Sequence, residues 1–324
     1  MLHFFLKRLL LMAPMLLGIT IISFAVIHLS PGEPGALGME MNPKVTKEVR
    51  ERIRAFYGLD KPVYEQYYLW LRRIVKLDFG LSFGSDRRPV ITKIAERLPI
   101  TVSLNLLSMI LILAIGIPIG VYGARYKDTL FDKGLTAFVF AGYALPTFWL
   151  ALLCMLFFGV YLEWFPISGI KSFNFEELSL GHKIVDVARH LVMPVFIAAF
   201  GGLAGISRYM KSSLLEVLRQ DYITTAYAKG LPENMILRKH ALRNALLPVI
   251  TILGLSVPGL IGGSVIFESI FGIPGMGQLF YMSVMARDYP TIMGILVIGA
   301  FLTLVGKLLA DISYAIADPR IRIG

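Results

Sequence analysis

The chain has little of what catalytic and metal-binding proteins usually carry. It holds one cysteine, Cys154, inside an apolar run, which excludes both an intrachain disulfide and a thiolate metal cluster. The redox state of its compartment is therefore not legible. The five histidines, His3, His28, His182, His190 and His240, are scattered without ligand spacing, so each reads as structural and no metal site is expected. No G-x-x-x-x-G-K-[ST] is present. Gly306-Lys307 comes nearest, with Phe301 where the first glycine belongs and Leu308 where Ser or Thr is required. The loop that cradles nucleotide phosphates is missing from the chain. Charge is scarce as well: 17% of residues are charged and 56% are hydrophobic, more apolar material than a soluble core of this length uses. That is the composition of an integral membrane protein. The net charge of +10 needs no nucleic acid, because basic residues outside apolar runs are what cytoplasmic membrane loops carry. Lipid is the expected surrounding.

The apolar runs define the architecture. Residues 9–29 follow Lys7 and Arg8. The run is longer than a signal-peptide core and no small-x-small cleavage site follows, so it reads as an uncleaved spanning helix with a cytoplasmic N-terminus. Further spans are expected over residues 100–122, 135–160, 191–206, 249–271 and 291–310. The fold class is an all-α membrane protein with six transmembrane helices and both termini on one side. Segment 1–30 carries the first helix, 31–98 an extracytoplasmic helical insertion, and 99–324 a five-helix core with a cytoplasmic loop, 208–247, between the fourth and fifth helices. That loop holds Arg208, Lys211, Arg219, Lys229, Arg238, Lys239 and Arg243, whereas the short outer loops hold Lys171, Lys183, Arg189 and Arg287. The bias sets the orientation. The outer insertion is rich in both charge signs, but segments of its length translocate largely regardless of charge. Helical spacing over 46–56 and 63–77, separated by GLDKP, predicts a small helical lid. Tyr57, Tyr64, Tyr67, Tyr68 and Trp70 on it read either as interfacial anchors or as contacts for a docked protein.

No span has Asp, Glu or Arg near its middle; the polar exception is Asn105, while Glu268, Lys307 and Asp311 lie toward ends. Ion-coupled carriers place ionisable groups or half-helix ends at mid-membrane. Energy is thus expected from another chain. Lys307 and Asp311 stand at i, i+4, where they either pair or snorkel separately. The fifth span combines Ser256, Pro258, Gly259, Gly262 and Gly263, which predicts a kink. Gly259 and Gly263 also form a small-xxx-small face. The segment reads either as a packing helix or as a hinge lining a path. Beyond it GIPGMGQ, with Gly272, Pro274, Gly275 and Gly277, reads as an ordered outer loop. Ser256, Ser264 and Ser283 have no histidine at helical spacing, which argues against an intramembrane hydrolase.

The stretch that stands apart is 216–248, EVLRQDYITTAYAKGLPENMILRKHALRNALLP, a basic island between apolar runs. Leu215, Leu218, Tyr222 and Ala226 fall on one helical face, with Asp221 as N-cap. Gly230 offers a left-handed stop and Pro232 the first turn of a second helix. Periodicity alone fits two solvated surface helices as well as a unit made to be held by another protein.

DYITTAYAKGL followed by HALRNALLPVIT resembles the cytoplasmic loop of the inner-membrane permease subunits of ABC importers, in the branch handling dipeptides, oligopeptides, nickel and glutathione. FYGLDKPVYEQY, LDFGLSF and RLPIT resemble the same branch. The wider family's Glu-Ala-Ala pattern stands here as Thr224, Thr225 and Ala226, the distance to Leu247-Pro248 is longer, and the branch's Gly-Asp-Pro appears as Gly32-Glu33-Pro34. The resemblance implies a second homologous permease, two cytoplasmic ABC ATPases that bind ATP and Mg, and an extracytoplasmic substrate-binding protein, with no cofactor on this chain and location in the inner (cytoplasmic) membrane. It implies ATPase coupling through Asp221, Tyr222, Thr225, Ala226, Lys229, Gly230 and Leu231. The path is expected near Asn105, Glu268 and the fifth span, and the resemblance implies that its mouth lies beside the 272–278 loop. A peptide substrate is the first expectation; nickel or glutathione, or an ion-coupled carrier or channel, are the alternatives.

Overall fold

The computed structural model describes residues 2–29, 60–84 and 86–317. The expected helix over 46–56, Tyr57 and Gly32-Glu33-Pro34 lie outside the described residues. The described residues are almost wholly helical: α1 (Leu2–Leu29), α2 (Val63–Ile74), α3 (Val90–Arg125), α4 (Leu130–Ala144), α5 (Thr147–Tyr161), α6 (Leu180–Val217), α7 (Asp221–Ala228), α8 (Glu233–Ile261), α9 (Val265–Ile270), α10 (Met276–Met285) and α11 (Tyr289–Ala317).

Five helices, within α1, α3, α6, α8 and α11, are each long and apolar enough to cross a membrane. The third expected span, 135–160, is not one straight helix. It is broken at Pro146, and its two halves, α4 and α5, meet at 98°. Proline there lacks the N–H that would continue α4 and pushes Leu145 into extended backbone. Counted as one broken span, the pair makes six. The fifth span also departs from expectation. A single kinked helix over 249–271 is replaced by α8, which tightens into a 3₁₀ turn at Val257–Ile261 around Pro258, stops, and restarts as the short α9.

The most extensive interface runs along α3 and α6, helices of 36 and 38 residues. At 1.5 Å per residue each exceeds what a hydrocarbon core needs and projects beyond it. Their close approach depends on glycines in IGIPIGVYGA. A Cβ on Gly120 would stand 2.5 Å from both the Ser207 carbonyl oxygen and the Met210 Cβ, and one on Gly116 would stand 3.2 Å from Ile206. Small residues at such spacing let two helices meet backbone to side chain where lipid offers no hydrophobic drive. The sequence reading placed this motif at Gly259 and Gly263. A Cβ on Gly259 meets nothing within 4 Å, whereas the Gly263 contact is with Gly277.

α3 begins at Val90 and runs unbroken past residue 98, so the insertion and the spanning core share a helix. α2 lies across the ends of α1 and α11. Tyr67 and Trp70 pack with Phe24, Ile27, Ile292 and Met293, and Tyr67 Oη lies 2.9 Å from Thr20 Oγ1. Tyr64 and Tyr68 remain exposed. The LDFGLSF segment is fastened below by Asp288: it accepts from Ser82 Oγ at 2.5 Å, the Phe83 N–H at 2.9 Å and Thr291 Oγ1 at 2.6 Å. Elsewhere Lys211 of α6 pairs with the buried Asp132 of α4 at 2.5 Å. Lys307 lies on α11; the Asp311 side chain is outside the described residues.

Candidate coupling and translocation sites

The single helical face expected through Leu215, Leu218, Tyr222 and Ala226 is interrupted: α6 runs on to Val217 and ends, and α7 starts afresh at Asp221 with Gln220 in extended backbone at its cap. Asp221 is therefore the first residue of α7 rather than its N-cap, and its carboxylate still favours the positive end of the helix. The restart turns the helix face. Ile223 and Ala226 point inward at 0% and 6% exposure, while Tyr222 is exposed and accepts a 2.8 Å hydrogen bond from Asn244 Nδ2. The i, i+3 pair Ile223 and Ala226, not the series through Tyr222, was the signal for the buried side.

The stop after α7 is a Schellman turn. Leu231 donates to the Ala226 carbonyl at 3.4 Å and Gly230 to that of Tyr227 at 2.9 Å. Gly230 sits at φ +72°, a conformation that costs a residue with a Cβ. Leu231 and Ala226 then share one apolar cluster, as this motif favours. α8 opens at Glu233, where Arg125 at the end of α3 approaches to 3.5 Å.

That cluster is what makes α7 more than a surface turn. Ile223 and Ala226 are packed with Ala124 of α3, Ile206, Met210 and Leu214 of α6, and Ile236, Ala241, Ala245 and Val249 of α8. One eight-residue helix thus shares an apolar cluster with residues of three spanning helices, its closest backbone contact being with α8 at 236–241. Of the predicted coupling residues, Asp221, Tyr222, Thr225, Lys229 and Gly230 are exposed, Leu231 is half-buried, and Ala226 is turned inside. Burial removes Ala226 from any contact surface. Tyr227 is exposed as well, on the other flank of α7 from Tyr222, and was missed because its neighbours set no period for it.

The second constellation sits at the opposite end. The expected loop 272–278 is a turn only over 272–275; Met276 starts α10, and Ile273, Gly275, Met276 and Gly277 are buried. Burial follows from a polar knot around Glu268, which is 1% exposed rather than at a wet helix end. Thr101 Oγ1 donates to its Oε1 at 2.9 Å, and the Gln278 N–H to its Oε2 at 3.0 Å. Thr101 Oγ1 in turn accepts from the Met276 N–H at 2.8 Å. Asn105, one turn along α3, donates to the carbonyls of Leu260 and Gly262 at 2.9 and 3.1 Å, where the end of α8 leaves them unpaired. Ser256 and Gly259 lie exposed on α8 and Gly262 just beyond its end, Pro258 packs beneath Gly306 of α11, and Pro274 is half-buried. Thr101 went unnoticed in the sequence because an isolated threonine in an apolar helix reads as filler.

A multi-pass helical protein with a rigidly seated helix at one end and a glycine-rich broken span at the other has the build of a membrane permease. Comparison with known proteins narrows the class. Residues 116–323 match the family described as binding-protein-dependent transport system inner membrane component, and residues 1–105 its N-terminal counterpart. The chain is 47% identical over 318 residues, 98% of both chains, to the oligopeptide transport system permease protein AppB of Bacillus subtilis (strain 168). It is 40% identical over 319 residues, again 98% of both, to a putative peptide transport system permease protein of Brucella abortus (strain 2308). It is 37% identical over 324 residues, the whole of both chains, to the dipeptide transport system permease protein DppB of Lactococcus lactis subsp. cremoris (strain MG1363). The chain belongs to the family of binding-protein-dependent transport system inner membrane components, the permease subunits of ABC importers.

Proposed function

We propose that the chain forms half of the translocation path of an ATP-driven peptide importer in the inner (cytoplasmic) membrane, with both termini in the cytoplasm. Full-length relatives named for oligopeptide and dipeptide transport support the substrate class. The path's other half comes from a second, homologous permease. ATP and Mg bind two cytoplasmic ATPase subunits, and an extracytoplasmic binding protein delivers the peptide.

The observation that carries this reading is the seating of α7. Its outward face, Asp221, Tyr222, Thr225, Lys229 and Gly230, offers charge, hydroxyl and aromatic groups to a partner. Its inward face, through Ile223, belongs to the apolar cluster that joins α3, α6 and α8 and lies closest to residues 236–241 of α8. A displacement of α7 is therefore passed to three spanning helices at once, since close-packed interiors shift as bodies rather than deform. Closure of the ATPases on ATP tilts these helices and opens the path outward; hydrolysis resets them. The test is reconstitution of the permease pair with its ATPases and binding protein. Uptake of labelled dipeptides and oligopeptides is expected to require ATP and all components. Uptake by this chain alone, driven by an ion gradient, would refute the reading.

A further inference from the structure

The break after α8 separates two parts of the outer half of the path, and α3 holds them in different ways. Thr101 and Asn105 stand one helical turn apart and so face the same neighbours. On the Thr101 side there is no slack. Thr101 and Glu268 are each 1% exposed, and their hydrogen bonds tie α3, α9 and the start of α10 together. A Cβ on Gly263 would stand 2.2 Å from the Gly277 nitrogen, and one on Gly275 would stand 2.5 Å from the Glu268 carboxyl group. Residues 263–278 thus form one block fixed to α3. On the Asn105 side there is room. Asn105 is half-buried, and its bond to the Gly262 carbonyl is open to solvent. A Cβ on Gly259 meets nothing within 4 Å, and one on Gly262 meets only the Gly259 carbonyl at 3.6 Å. Gly259 and Gly262 thus have open space at the Cα and the backbone freedom of glycine, and Pro258 has already cost α8 its regular hydrogen bonding there.

We propose that Asn105 is a positioning residue, the latch of the outer gate. With its amide across the Leu260 and Gly262 carbonyls, the end of α8 is held against the 263–278 block and the path is shut to the outside. Release of those two bonds lets α8 bend at Gly259 and Gly262, while Thr101 and Glu268 keep the block on α3 throughout. The inference rests on the reading of α8 as path-lining, and the test separates the two.

The experiment uses the complete importer in proteoliposomes carrying Cys154→Ser and Ser256→Cys, with a membrane-impermeant maleimide added on the binding-protein side. Asn105→Leu keeps the bulk and removes both bonds. Two hydrogen bonds of ordinary net strength correspond to about 5- to 150-fold in an equilibrium, so labelling in the nucleotide-free state is expected to rise by a factor in that range. Asn105→Gln, which retains the donor, is expected to lower it again, and Thr101→Ser to leave it at the parental level. If Asn105→Leu labels no faster than the parent while the vanadate-trapped importer labels readily, the latch is refuted and the path reading stands. If Ser256→Cys labels in no state, α8 does not line the path and the latch falls with it.

Discussion

Replacing Ile223 by alanine removes the one branched aliphatic side chain that plugs α7 into the core formed by α3, α6 and α8, and it leaves the exposed face of α7 chemically unchanged. Ile223 is fully buried. Three carbons at about 0.8 kcal/mol each give roughly 2.4 kcal/mol of lost transfer energy, and an unrelaxed cavity brings the range to about 2–5 kcal/mol. α7 spans Asp221–Ala228 and has few other anchors: Ala226, Leu231 and the Tyr222–Asn244 hydrogen bond. Most of that loss falls on its seating rather than on the whole fold. At the lower bound of about 2 kcal/mol, opening of α7 becomes about 30-fold more frequent. In hydrogen exchange of the assembled importer, amides of residues 221–231 are expected to lose that much protection while those of α3 keep theirs. ATP hydrolysis continues, and peptide taken up per ATP falls several-fold. Ile223→Val, at about 0.5–1.5 kcal/mol, is expected to give a smaller effect of the same sign. Unchanged protection and an unchanged uptake-to-ATP ratio in Ile223→Ala would refute the idea that α7 works as a seated lever.

Further expectations can be checked on the same preparation. Gly120→Val drives a branched side chain into the Ser207 carbonyl and Met210 and is expected to destabilise by about 1–3 kcal/mol or more in thermal unfolding; Gly134→Ala, with open space around it, is expected to be neutral or slightly stabilising. Gly230→Val forces a β-branched residue to φ +72° at a cost of about 1–3 kcal/mol, whereas Gly230→Asn, which tolerates that region, is expected to keep most coupled uptake. Lys211→Met leaves Asp132 buried without its cation and is expected to cost about 3 kcal/mol; adding Asp132→Asn recovers most of it if the pair acts as a unit, which a double-mutant cycle measures.

Much of this architecture could be read from the chain because the bilayer imposes a strong pattern. Runs of apolar residues long enough to cross appear near 9–29, 100–122 and 291–310, and the helices found there contain them. Gly230 was legible for a different reason: a lone glycine followed by Leu-Pro has one common use, ending a helix. The broken spans were less legible. Pro146 and Pro258 were visible, but whether proline kinks a helix or ends it depends on what meets the freed carbonyls. At Pro258 the answer comes from Asn105, some 155 positions away. The facing of α7 was hidden because residues 218–220 shift the phase between α6 and α7, so a period counted through them lands Tyr222 on the wrong side. The burial of 272–278 was hidden too. Glycine and proline announce irregular backbone, and only the Glu268–Thr101 knot decides that this backbone lies inside.

The central claim, that an engine subunit grips the outward face of α7, is tested most directly by protection of single cysteines. In a Cys154→Ser background, Thr225→Cys and Lys229→Cys are treated with a water-soluble maleimide, first in the permease pair alone and then with the ATPases bound. The account predicts rapid labelling in the pair and strong protection in the full importer, with Lys133→Cys, placed on α4, serving as an off-site reference that labels equally in both. Equal labelling of Thr225→Cys and Lys229→Cys with and without the ATPases would contradict it.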